Sequence, residues 1–192
     1  MMANAAWVEV QLALAGCLRL ARGDRGGLAC FDRSLDGFWR SFRAAVICYP
    51  LYLVLLAMRV SMAEWQTSGG WRIVTVETIG YVVAWVAFPL LMLNVVRWIG
   101  RVDRFFDFMV PYNWCQVPQS ALFVLVGLVS AGGVLSTQAS EAMDLAAAIA
   151  TLLYEWFIAR VALDTTGLVA VFVVVLDLVL GVLISRVTGG LY

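Results

Sequence analysis

The chain has 192 residues, of which 63% are hydrophobic and 14% charged, and it carries no net charge. A soluble domain is about 45–50% apolar and about 25% charged, so this composition implies lipid around the outer faces of an all-α, polytopic membrane bundle. Neutrality excludes the basic footprint of a nucleic-acid binder, and the absence of histidine removes the usual general base and the commonest metal ligand.

In chain order, residues 1–41 read as a cytoplasmic segment of interfacial amphipathic helices. Trp7, Val10, Leu14, Cys17, Leu18 and Ala21 fall on one arc of a first helix, and Glu9, Gln11, Arg19 and Arg22 largely on the other. Leu14, Ala15, Gly16 and Cys17 match a bacterial lipoprotein cleavage box. Glu9 and Gln11, however, interrupt the apolar core that a signal peptide needs, so the interfacial helix is the expectation. Residues 22–27 read as a flexible turn. Phe31, Leu35, Phe38, Trp39 and Phe42 then form the apolar stripe of a second helix, expected to lie along the inner surface with its aromatics at the lipid boundary.

Residues 42–192 form the membrane domain. A crossing helix needs about 20 apolar residues, and five segments qualify: 42–62, 73–97, 118–136, 143–163 and 167–187. Arginine supplies all thirteen cations, and its distribution sets the orientation. Arg19, Arg22, Arg25, Arg33, Arg40 and Arg43 precede the first span, and Arg97, Arg101 and Arg104 follow the second. Both groups are expected inside, which places the N-terminus in the cytoplasm of a bacterium, the chain in its inner membrane, and the C-terminus outside.

Between the second and third spans, Pro111 and Pro118 argue against a continuous helix. The expectation is a structured loop or re-entrant turn. In it Tyr112, Trp114, Gln116 and Pro118 serve as interfacial anchors or as a partner-binding or gating surface.

A charge in the bilayer costs about 2.5–3.5 kcal/mol on insertion scales. Asp177 lies in the middle of the last span between runs of valine and leucine. Glu155 lies in the fourth span at similar depth, across the hairpin formed by Asp164, Thr165 and Thr166. Facing one another, the two carboxyls would share a proton. Arg160 is a further candidate member, able to pair with Asp164 at i+4 or to reach Glu155. Structural glue and an ion or substrate site are the two readings of this group. Pro50 and Pro89 fall at matching depth and could open a cavity by kinking their helices. Gly127 and Ala131, with Ala146, Ala147, Ala148 and Ala150, suggest close packing of the third span on the fourth, or a homodimer face.

No phosphate-binding loop, dinucleotide fingerprint, nucleophile elbow or zinc-protease motif is present, and the cysteines show no metal-ligand spacing. Enzyme activity, cofactors and bound metals are therefore not expected. The segment Pro111, Tyr112, Asn113, Trp114, Cys115, Gln116, Val117, Pro118, the Tyr154, Glu155, Trp156 run, and the tight turn into the last span resemble the YIP family of five-span membrane proteins. Asp32 and Asp36 are the nearest match to that family's acidic signature. The resemblance implies a five-helix bundle that organises membrane partners, with no catalytic residues. Two functions follow from the sequence: a non-enzymatic scaffold that contacts the bilayer and a protein partner or second copy, or a small transporter or ion conductor built on the intramembrane carboxylates.

Overall fold

A computed structural model describes residues 2–133 and 135–192, with side chains from residue 7 onward. Among the described residues the chain is helical with no strand: α1 (Met2–Ala21), α2 (Leu35–Ser41), α3 (Arg43–Arg59), α4 (Met62–Ser68), α5 (Gly70–Trp98), α6 (Phe105–Ala131), α7 (Thr137–Ala162) and α8 (Gly167–Gly189). Five helical stretches are long and apolar enough to cross a membrane: Leu35–Arg59, Gly70–Trp98, Val102–Ala131, Thr137–Ala162 and Gly167–Gly189. Four follow the expected spans closely.

The third span differs. α6 is one helix through both Pro111 and Pro118, so residues 111–118 are not a loop. Each proline forfeits a backbone hydrogen bond and costs about 3 kcal/mol in an ordinary helix interior. Membrane helices tolerate this because neighbouring helices hold the backbone in place. Here residues 108–115 are buried without interruption, wrapped by α1, α2, α3 and α7. Trp114 and Met109 are fully enclosed, and that packing outweighs the lost bonds.

The spans close into a ring in the order α3, α6, α7, α8, α5. The seam from α5 back to α3 is made by side chains. The Tyr49 hydroxyl bonds Thr78 at 2.9 Å, Tyr52 donates to Glu77, and Tyr81 donates to the Ala45 carbonyl at 2.6 Å. At α5 against α8 the approach is close, because a Cβ on Gly80 would lie 2.5 Å from Thr188.

The face carrying α1 and α2 is sealed. α1 lays Ala13, Cys17 and Leu20 against the bundle, while Trp7, Leu18 and Ala21 of the expected arc face outward. The true contact stripe is rotated, because tertiary packing on α6 and α7, not lipid, chooses it. Phe31 and Phe38 are likewise buried in the protein and not at the lipid boundary; Phe38 packs on Phe105 and Phe106. Of that stripe only Leu35 and Trp39 are exposed. The turn at residues 22–27 is tied down. Asp24 accepts from Arg19 at 2.7 Å and caps a 3-10 turn, Arg25–Cys30. Ion pairs fasten this layer: Glu9 takes Arg40 at 3.0 Å and Arg43 at 2.9 Å, and Arg33 meets Asp107 at 3.3 Å.

Three packing expectations also change. Gly127 faces Met58 of α3 and not α7, Ala131 is exposed, and among the α7 alanines named above only Ala147 is buried. Pro50 is exposed, whereas Pro89 is buried and faces inward. The turn into α8 forms as expected, with Asp164 in the left-handed region at φ 46°.

Candidate functional site

The ring surrounds a half-open cavity of about 710 Å³ to which all five spans contribute. Its floor, toward the sealed face, is made by Phe88, Tyr112 and Asn113. Its far rim is marked by Leu55, Phe123, Ser185 and Arg186. Tyr81, Trp85 and Phe88 recur at i, i+4 and i+7, so they share one face of α5 and form a wall. Asn113 is locked from behind, donating to Ser41 Oγ at 2.8 Å while Ser41 donates to the Phe38 carbonyl at 2.6 Å.

Glu155 and Asp177 both line this cavity. Glu155 lies about 10 Å before the end of α7, and Asp177 about 15 Å after the start of α8, at 1.5 Å per residue. Side chains lean toward the N-terminus of their own helix. α7 and α8 are antiparallel across their tight turn, so the two carboxyls lean toward each other and interact electrostatically. Tyr112 faces Asp177, with Gln116 beside it. Among the described residues Glu155 is 9% exposed and has neither a hydrogen bond nor an ion pair, and Thr151 Oγ1 on the same wall also lacks a partner. A buried polar group left unpaired costs about 1–3 kcal/mol, so these groups are arranged for something that enters the cavity. Among the described residues the charged side chains that line it are these two carboxylates and Arg186, which is exposed near the rim.

Arg160 does not join the site. It is exposed and lies over the Trp156 ring, 5.2 Å from its centre, while Asp164 pairs with Arg101 at 4.0 Å. Tyr112 and Gln116 do reach the cavity, from inside the bundle and not from a loop. Trp114 is 1% exposed on the opposite side of α6, and Pro118 is half-buried outside the lining.

A second polar centre leaves no local pattern in the sequence. Glu77 of α5 is 2% exposed and takes four partners: Tyr52 at 2.5 Å, Tyr192 at 2.7 Å, Arg59 at 2.8 Å and Thr188 at 3.2 Å. Residues 191 and 192 are held over it, since Arg72 donates to the Leu191 carbonyl at 2.6 Å and Ser68 to that of Tyr192 at 3.0 Å. Glu77 falls near the start of the expected second span, where a carboxylate passes for interfacial. Gly80 one turn later was the available signal of a close helix contact there.

A third cluster joins α1 to the ring. Cys115 donates to Cys17 at 3.3 Å between sulfurs, and the Tyr154 hydroxyl lies 2.9 Å from Cys115 and 2.8 Å from the Cys17 carbonyl. It is packed and dry, and it anchors α1.

Comparison of the chain with protein-family models, with curated proteins and with solved structures gives no match. The reading of the site therefore rests on its own geometry.

Proposed function

We propose that this membrane protein is a small transporter that takes up a cationic solute in the central cavity in exchange for protons on Glu155 and Asp177. One observation carries the reading: a buried carboxyl with no protein partner, Glu155, lines the same cavity as a second carboxyl, Asp177, between helices long and apolar enough to cross a membrane. Intramembrane carboxyls retained only as glue are expected to be bonded to a neighbouring helix, as Glu77 is. A pair that must hold either protons or a cation needs the open space that these two have.

The scaffold alternative has less support. Of its expected contact residues, Phe31, Phe38, Tyr112 and Trp114 are engaged within the bundle, and Leu35 and Trp39 are exposed. The likeness to the YIP family stays a proposal based on layout. So does the orientation with the arginine-rich α1–α2 face in the bacterial cytoplasm, which a reporter fused after Tyr192 reads directly: reporter activity on the cytoplasmic side would reverse it.

The test uses proteoliposomes loaded with a pH-sensitive dye and challenged with sodium, ammonium, methylammonium and tetraphenylphosphonium in turn. At least one cation should drive a dye response that is absent in Asp177→Asn and strongly reduced in Glu155→Gln. Equal responses from wild type, both variants and empty liposomes sink the reading.

A further inference from the structure

The wall beside the carboxylates is aromatic to an extent that a site for a bare inorganic ion has no use for. Tyr52 and Tyr81 pack as tilted rings 4.8 Å apart between centres, Tyr81 and Trp85 at 6.0 Å, and Phe88 and Tyr112 at 4.5 Å. All five rings line the cavity. Inorganic cations are held by converging oxygens at short range, six or more for the larger hard ions. Here the polar side chains are spread around a space of about 710 Å³, within the range of sites for whole organic ligands, about 300–1,000 Å³. Aromatic faces attract an organic cation whose charge is spread over an apolar body, and Glu155, unbonded, and Asp177, beside Tyr112, supply its counter-charge.

We infer that the ligand of this cavity is a lipophilic organic cation, its charged centre between Glu155 and Asp177 and its apolar body against Tyr81, Trp85 and Phe88. This rests on the transporter reading for its biological setting, but the site can be tested by binding alone. The acidic pair is not the only support. The unbonded, nine-tenths-buried Glu155 and the unpartnered Thr151 hydroxyl both mark a place where protein partners are missing. The seam between α3 and α5 adds a route. It is closed by the side chains of Tyr49, Tyr52 and Tyr81, not by backbone contact, so rotamer changes suffice to admit a ligand from the lipid side.

The experiment compares two probes of one shape and opposite charge. The full chain in nanodiscs is titrated with tetraphenylphosphonium and with tetraphenylborate, against empty nanodiscs. Wild type should bind the cation saturably and the anion at least tenfold more weakly. Asp177→Asn should weaken the cation at least tenfold. Tyr81→Leu and Trp85→Leu, each checked for retained helicity and monodispersity, should do the same. Equal binding of the two probes overturns the inference, as does undiminished phosphonium binding in both aromatic variants. Absence of phosphonium binding beside an Asp177-dependent response to a compact cation overturns the ligand class and leaves transport standing. Asp177-dependent phosphonium binding with no proton movement for any cation supports the ligand class and removes transport.

Discussion

The Tyr52 hydroxyl donates to the Glu77 carboxylate at 2.5 Å, and Tyr52 is also part of the cavity wall. One end each of α3, α5 and α8 therefore meet at Glu77, and one of its partners bounds the cavity. Glu77→Gln should loosen all three at once. It leaves Arg59 without its counter-charge, although Arg59 is half-exposed and water screens it. A loss of about 1–3 kcal/mol is expected. It would be read as a lowered unfolding midpoint in detergent for Glu77→Gln, with a smaller drop for Tyr52→Phe. An unchanged midpoint in both would show that the network contributes nothing to stability.

Tyr192 supplies a pH-dependent part of that network. Burial, and after it the bond to Glu77, push its phenol up to about 12. The folded chain thus holds this proton more tightly than the unfolded chain, whose tyrosines titrate near 10. The stabilisation is complete below pH 10 and is lost as pH rises through 12. Tyrosinate absorbance of wild type minus Tyr192→Phe should titrate near the higher value. A midpoint at the ordinary tyrosine value would mean that residue 192 is detached.

Two glycines respond differently to an added methyl. At Gly80 the new Cβ meets Thr188 Cγ2 at 2.5 Å, and the Thr188 hydroxyl is already held by Glu77 and the Ser185 carbonyl. Gly80→Ala should cost about 1–3 kcal/mol through forced separation of α5 and α8. At Gly127 the nearest atom is Cε of Met58, the end of a flexible chain. Gly127→Ala should be neutral or stabilising by up to about 1 kcal/mol from helix propensity. Thermal unfolding of the two variants side by side checks the ranking, and equal destabilisation would contradict it.

The thiols give a chemical assay of the α1 anchor. The bond from Cys115, and then burial, raise the Cys17 thiol far above the usual thiol range. Maleimide labels thiolates, so at neutral pH native protein should label at Cys30, which is partly exposed, and hardly at Cys17, Cys48 or Cys115. Cys30→Ser should abolish native labelling, and denaturant should restore it at the other three. Rapid labelling of Cys17 in the folded protein would mean that α1 leaves the bundle.

Local pattern accounts for what was legible beforehand. Four spans, the hairpin at residues 164–166 and the approach of Glu155 to Asp177 follow from hydropathy, helix rise and a short turn, all of which depend on sequence neighbours. The errors share one cause. Pro111 and Pro118 break a helix in water, where nothing compensates the lost bonds, and Phe31 and Phe38 read as lipid-facing because periodicity tells apolar from polar but not protein from lipid. Glu77 was overlooked because its partners come from α3, α8 and residue 192.

The sequence by itself determined a five-span helical membrane protein with two carboxyls at similar depth in its last hairpin, because lipid leaves the backbone no other way to satisfy its hydrogen bonds. The tertiary structure alone decided what those carboxyls face. Packing closes the ring through tyrosine side chains at the α3–α5 seam, and so leaves Glu155 facing an aromatic cavity that Asp177 also lines. Long-range packing decides this, because helices in lipid choose their neighbours by shape and hydrogen bonding and not by hydrophobicity, which every outer face shares.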